Sequence, residues 1–477
     1  MSARNDVVVV GGGPGGYATA FRAGVRGLDV ALVEEDLLGG TCLQRGCVPS
    51  KAILHVAGVR DELARAEVLG LEVAVGGLDG AGLAAFRDGV VTRLTKGLDQ
   101  LAALRTTRIH GRGRLVPDGD GVAVEVTAPD GTTSVLEAGN VVLATGSVPA
   151  EVPGVAVDGE VVQTSDQALW FTAAPERAVI IGGGAIGVEF ASMWAPFGTQ
   201  VTVVEALDRL LPLEDADSSS ALERAYRRRG IEVLTTARVR GVAVTDGVAH
   251  VEVEVDGTAR RLTADRVLVA VGRRPRTEDT GAAELGILDE RGAVVTDAWG
   301  ATAVPGLWAV GDVRPTLALA HAAFAEGKVV ADRIAGLDVP PVDHVQTPRV
   351  TYSHPEVASV GLTEAEARAR YGDEHVEITT TSLAGNAKAI IAGQDGLVKL
   401  VRLTGPVPVG APGEAGSILG VHVVGPQATE LIAAATPVTT WGAVPAELAT
   451  LTHAHPSVAE ALGEAYLAAA GLPLHGR

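Results

Sequence analysis

"DVVVVGGGPGGYATAFRAGVRGLDVALVEED", Asp6 to Asp36, is the stretch from which the fold can be read. Its unbroken apolar run, Val7 to Val10, predicts a strand covered on both faces, because a half-exposed strand would alternate. Gly11, Gly13 and Gly16 then supply G-x-G-x-x-G, a helix of small residues follows, and a second strand ends at Glu34, 23 positions after Gly11. The first glycine permits a tight turn, the second lets the backbone approach a pyrophosphate, and the third lets helix and strand pack closely. The phosphates then meet the free N–H groups and positive dipole end of the helix, and the acid accepts from a ribose diol.

The pattern occurs twice. "RAVIIGGGAIGVEFASMWAPFGTQVTVVEAL", Arg177 to Leu207, places Gly182, Gly184 and Gly187 as the first copy does, and Glu205 again lies 23 positions after the first glycine. One such cluster is weak evidence, since any turn can collect glycines. Two in strand–turn–helix–strand context are strong and predict two different dinucleotides, a flavin and a nicotinamide. The carboxylate of Glu205 favours NAD over NADP, because it repels a 2′-phosphate, although Arg209 lies close by in sequence. Two further strands end in turns: "NVVLATGSVP" (Asn140–Pro149) and "GLWAVGDV" (Gly306–Val313). Asp312, at the end of the second, sits where open parallel sheets bind ligands, or else serves as a turn residue.

Composition narrows the alternatives. A chain of 477 residues is too long for one core, so several domains are expected. A net charge of −19 argues against wrapping nucleic acid, while a basic protein partner remains compatible with it. No apolar run reaches the length of a membrane span, the start is too short of apolar residues for a signal peptide, and a cytoplasmic location is expected.

The chain has two cysteines, Cys42 and Cys47, both within "GGTCLQRGCVPSK" (Gly39–Lys51). A structural zinc site needs four ligands, and no histidine cluster flanks this segment, so no metal is expected. A structural disulfide closing so short a loop gains little. A redox-active pair fits best: a helix-like sequence follows, and a helix N-terminus makes thiolate available.

These motifs, with "ATG" (Ala144–Gly146), "VGRRPRT" (Val271–Thr277), "GD" (Gly311–Asp312) and the closing "HAHPSVAE" (His453–Glu460), resemble in content and order the flavoprotein disulfide reductases, most of all their dihydrolipoyl dehydrogenase branch. "PRVTYSHPEVASVG" (Pro348–Gly361) and "ILGVHVVGP" (Ile418–Pro426) are similar to that family's dimerisation domain. The resemblance covers essentially the whole chain. It implies an α/β fold with two Rossmann-like dinucleotide-binding domains and an α+β C-terminal dimerisation domain. The expected divisions are an FAD domain (1–150), an NAD domain (151–273), a central domain completing the FAD site (274–345) and an interface domain (346–477).

The resemblance also implies roles. Cys42 and Cys47 form the redox disulfide, with Cys42 facing the substrate and Cys47 the flavin. His455 is the base, oriented by Glu460, and comes from the partner subunit; the H-P-x-x-x-E pattern selects it over His453. Lys51, held by Glu189, stands beside the flavin. Gly11, Gly13, Gly16 and Glu34 bind FAD, as do Gly40, Thr41 and Lys51. Thr145, Gly146, Gly311, Asp312 and Ala320 complete the FAD contacts. Gly182, Gly184, Ile186, Gly187, Glu205 and Gly272 bind NAD. The implied activity is oxidation of protein-bound dihydrolipoamide with reduction of NAD, in a homodimer. Its expected partners are the lipoyl domain and a basic subunit-binding domain of an acyltransferase, with a small dithiol as substrate. An NAD(P)H-dependent reductase of another small disulfide, of the mycothiol or glutathione type, is the alternative, and Glu205 argues against it. Ala185 stands where some relatives carry an aromatic gate. "TGPVPVGAPGEAGS" (Thr404–Ser417) reads as an enlarged hairpin loop.

Overall fold

The structure is a computed structural model and describes residues 4–405 and 414–475; residues 406–413 of the expected Thr404–Ser417 loop lie outside the described residues. The strand Asn5–Val10 is the middle of a five-stranded parallel sheet, between Ala138–Leu143 and Val30–Glu34, with Leu307–Ala309 and Thr107–His110 at the edges. Val7 and Val9 join one core cluster with Ala20 and Leu32, whereas Val8 and Val10 join another with Leu115 and Val124. Both faces are therefore covered, which is why the valine run does not alternate.

The edge strand Leu307–Ala309 follows the second nucleotide unit in sequence, so the chain returns to complete the first sheet. The helix after it, Ala320–Ile334, packs on Pro14–Val25 so closely that a Cβ on Gly327 would lie 2.6 Å from the Gly15 carbonyl oxygen. Arg22 and Arg26 fasten the far end of this pair through Asp332, at 2.8 and 2.7 Å.

The second unit repeats the plan. Arg177–Ile181 lies between Gln200–Val204 and Arg266–Val269, with Glu232–Leu234 and Val162–Thr164 outside them, all parallel. The two chain crossings between the units pair antiparallel, Ser147–Pro149 against Arg273–Pro275. The C-terminal part is a five-stranded sheet in which Glu356–Gly361, Ile418–Gly425, Leu397–Leu403 and Val376–Ser382 pair antiparallel in that order. Ile432 and Ala435 of helix Ala428–Thr440, with Leu462 and Tyr466 of helix Glu460–Ala469, cover one face.

A charge cluster around one buried lysine joins this sheet to the second nucleotide unit. Lys399, 1% exposed, points its Nζ at Asp215 Oδ1 (2.8 Å), Asp217 Oδ2 (2.7 Å) and Glu364 Oε2 (2.7 Å). Burial opposes the ammonium charge, but the three carboxylates prevail and lift the Lys399 pKa well above its ordinary value. Among the described residues no helix is long and apolar enough to cross a membrane.

Candidate active site

Both fingerprint turns are built alike. A Cβ on Gly11 (φ +103°) would lie 2.4 Å from the Ala144 carbonyl oxygen, and one on Gly182 (φ +110°) would lie 2.4 Å from that of Ala270. Only glycine accepts both the left-handed backbone and the approach. Gly16 and Gly187 are packing residues, each facing the carbonyl of its own first glycine, at 1.8 and 1.9 Å from a notional Cβ. The second glycines differ. Around Gly184 no protein atom lies within 4 Å of where a Cβ would be, and around Gly13 only Gly40 Cα does, at 3.8 Å. The open space is where the spacing predicts a pyrophosphate.

The helices that follow, Pro14–Val25 and Ala185–Trp194, start on Gly13 and Gly184 without a side-chain cap and without an acid in the first turn. Their leading N–H groups are left for an anion. The acids end the second strands identically. Glu34 accepts the N–H of Gly12 (2.6 Å) and of Asp36 (2.8 Å), and Glu205 accepts those of Gly183 (2.6 Å) and Leu207 (2.7 Å). Arg209, the basic residue near Glu205, turns instead to the Pro212 carbonyl and the Asp208 carboxylate.

From the first turn a cavity of about 1270 Å³ runs past the cysteines to the second unit. Gly11, Gly13, Glu34, Gly40 and Thr41 line its first part, and Thr145, Gly146, Gly311, Asp312 and Ala320 its walls. Cys42, Cys47, Lys51, Ile186 and Glu189 line the part where the two units meet, with Ala185 beside them. The open second glycine, the uncapped helix start and the acid at the strand end all fit a dinucleotide of FAD's size. Gly182, Gly184, Gly187, Glu205 and Gly272 are not on this cavity; they shape the second unit's own turns.

The cysteine segment folds as a short helix, Gly40–Arg45, a break at Gly46, and a long helix, Cys47–Ala64. Cys47 is thus the first residue of an 18-residue helix, where the dipole favours thiolate. The two thiols are unbonded, with Cys47 the more exposed. Their titration is asymmetric. Hydrogen bonding from the Cys42 thiol, aided by the Lys51 ammonium and opposed by burial, lowers Cys47 to about 7. The same hydrogen bond, together with burial, pushes Cys42 far up.

Lys51 projects one turn along that helix. Its Nζ lies 2.9 and 2.7 Å from the two carboxylate oxygens of Glu189, which is 7% exposed. Glu189 also accepts the Tyr352 N–H at 2.9 Å, and the Tyr352 ring lies under Lys51 Nζ at 4.6 Å. Burial opposes the lysine's charge, but Glu189 overrides it and Lys51 is raised above its ordinary value. Three parts of the chain thereby meet at one ammonium.

His455 and Glu460 pair with each other and do not line this cavity. His455 Nδ1 is 2.8 Å from Glu460 Oε1, and Glu460 Oε2 accepts the Ser457 N–H at 2.8 Å. That backbone bond first, and the histidine second, hold the Glu460 carboxyl below its usual range. The imidazole is 77% exposed, and neither residue lines the chain's own cavity. His453 packs instead against Tyr466, ring centroids 6.4 Å apart. His354, read as a turn or interface residue, is buried enough to fall to about 4.

Sequence reasoning missed the supports of the cavity wall. Arg273 donates to Ser147 Oγ (2.7 Å) and to the Ser147 carbonyl (2.7 Å), and Ser147 Oγ donates to Asp312 Oδ2 (2.6 Å). Tyr352 and Glu326 were missed as well. Glu326 gave one signal: it is an acid on the helix face that carries Ala322, Ala323 and Val330 into the core.

Comparison with known proteins agrees along the whole chain. The family described as pyridine nucleotide-disulphide oxidoreductase matches residues 5–327, and its dimerisation domain matches residues 347–466. The chain is 38% identical to the dihydrolipoyl dehydrogenase of Bacillus subtilis and 38% identical to that of Zymomonas mobilis, covering 100% of each chain in both cases. The crystal structure of LpdA from Mycobacterium tuberculosis superposes with a TM-score of 0.87 at 29% identity, over 96% of this chain and 98% of that one. With two fingerprint turns, a thiol pair between them and full-length relatives on every side, the chain belongs to the pyridine nucleotide-disulphide oxidoreductase family.

Proposed function

We propose that this chain oxidises dihydrolipoamide to lipoamide and reduces NAD+ to NADH, as a homodimer with FAD in the cavity and the Cys42–Cys47 pair as its relay. The observation that carries the reading is the asymmetric thiol pair set at the cavity between the two nucleotide units, in a chain whose full-length relatives are named dihydrolipoyl dehydrogenases. These relatives favour dihydrolipoamide over a mycothiol- or glutathione-type disulfide. Bound in this cavity, FAD would supply the two-electron chemistry that links the reduced thiol pair to NAD+.

The chain's own residues perform the thiol chemistry. In the oxidised pair, one substrate thiolate attacks Cys42 Sγ. The Cys42–Cys47 bond breaks, and Cys47 leaves as thiolate. Leaving is fast because Cys47 sits low, at about 7. The second substrate thiolate then attacks the mixed disulfide, lipoamide departs, and Cys42 takes a proton. His455 from the second copy removes the substrate's protons through Nε2, since Glu460 engages Nδ1. Lys51, locked by Glu189, places a fixed positive charge beside the thiolate and the cofactor. The acidic surface, with a net charge of −19, suits a basic docking domain of an acyltransferase that carries the lipoyl group. We place the enzyme in the cytoplasm, where a cysteine pair of this kind is usually catalytic rather than structural.

The test is oxidation of dihydrolipoamide by the purified yellow protein, followed through NADH formation. NADH formation with NAD+ and not with NADP+ supports the reading. Failure to oxidise dihydrolipoamide, with NADPH-driven reduction of another disulfide, would overturn it.

Two further outcomes are expected. Glu205→Arg removes the carboxylate that repels a 2′-phosphate, so the NAD+/NADP+ preference falls by on the order of 10-fold or more. An unchanged ratio of kcat/KM values shows that Glu205 is not the selector. In reduced, flavin-free protein, thiolate ultraviolet absorbance appears with its first step at about pH 7, from Cys47. Lys51→Met moves that step upward by removing the neighbouring positive charge. A first step that stays in place clears Lys51 of this role.

A further inference from the structure

Glu326 lies inside helix Ala320–Ile334, 2% exposed, and does not line the cavity. Its Oε2 accepts the N–H of Gly311 at 2.6 Å, and its Oε1 accepts from Thr316 Oγ1 at 2.9 Å. Arg314 Nη1 and His344 Nε2 reach the same Oε1 at 3.2 and 3.3 Å. The Gly311–Val313 turn that it holds ends the strand Leu307–Ala309, at the edge of the sheet where parallel sheets receive ligands. Because the Gly311 N–H points inward to Glu326, the next residue, Asp312, lies on the cavity with its carboxylate fixed by Ser147. Without an acceptor that N–H would be buried and unpaired, and the turn would rotate to find one. Glu326 also belongs to the helix whose first residue, Ala320, lines the same cavity. Two cofactor-facing segments are therefore strung on one buried carboxylate.

We propose that Glu326 is a positioning residue for flavin binding: by accepting the Gly311 N–H it sets the turn that presents Asp312 to FAD. The inference rests on the assignment of the cavity to FAD.

The experiment measures FAD affinity by reconstituting flavin-free protein and following flavin fluorescence. Two substitutions separate reach from charge. Glu326→Asp keeps the charge beside Arg314 but withdraws the acceptor from Gly311. Glu326→Gln keeps the acceptor and loses the charge. Asp312→Ala is expected to weaken FAD by about 10- to 100-fold, and Glu326→Asp by about 10-fold, whereas Glu326→Gln stays within about threefold. In the Asp312→Ala background, Glu326→Asp adds less than about threefold, because its effect passes through Asp312. The reverse order of the two Glu326 variants, equal effects from them, or losses that multiply with Asp312→Ala would overturn the inference while leaving FAD in the cavity. An Asp312→Ala protein with normal affinity would remove Asp312 from the flavin site, and the inference with it.

Discussion

Cys42→Ser protein is expected to purify yellow and to oxidise dihydrolipoamide at least about 10⁴-fold more slowly, since removing a covalent reaction partner closes the path altogether. The cofactor should stay because the surfaces proposed to hold it are elsewhere, on the fingerprint turn, Glu34 and the Gly311–Asp312 turn. The serine hydroxyl still donates to Cys47, so the thiolate of Cys47 persists and titrates near its former position. Cys47→Ser should be equally inactive for a different reason: its alkoxide is a far poorer leaving group than a thiolate held at about 7. Dihydrolipoamide-dependent NADH formation and flavin content, measured on the same samples, decide the matter. Turnover within tenfold of the unmodified protein in either variant would exclude the disulfide relay.

His455→Gln should lower kcat for dihydrolipoamide by about 10² to 10⁴, the usual worth of a general base. The imidazole, 77% exposed, is bonded to Glu460 and absent from its own chain's cavity. A catalytic role therefore requires two copies, each supplying the histidine to the other's thiols. This requirement has a quantitative consequence. The Cys42→Ser and His455→Gln proteins are each expected to be severely impaired, yet when dissociated and re-paired they should regain roughly a quarter of normal activity. Half of randomly formed dimers are mixed, and each mixed dimer has one intact site out of two. No recovery, with mixed dimers verified by mass, would show that the histidine acts within its own chain or not at all. A loss under twofold in His455→Gln would move attention to His453 or solvent.

What could be read in advance was what local sterics dictate. Gly11 and Gly182 are glycine because nothing larger fits against Ala144 and Ala270, and a requirement of that kind is written at one position. The acids at 34 and 205 were legible because strand length fixes their distance from the turn. The supports were not legible, because their partners are remote. Arg273 reaches Ser147 across 126 positions, and Tyr352 reaches Glu189 across 163. Glu326 bonds Gly311 only 15 positions away, but it does so from inside a helix after a loop, and neither residue type announces the bond. Lys399 offered the plainest unused clue. A lysine in "LVKLVRL" shares its strand face with Leu397, Val401 and Leu403, and so must carry a buried ammonium that needs anions.

That ammonium has a mechanical meaning. Asp215 and Asp217 belong to the second nucleotide unit, and Lys399 and Glu364 to the C-terminal part, so parting the two would leave the buried Lys399 ammonium and Asp215 carboxylate without their partners. The second nucleotide unit is thereby riveted to the C-terminal part, and a hinge motion between them would have to break these ion pairs. Heating is expected to melt the second nucleotide unit and the C-terminal part together, in a single calorimetric step.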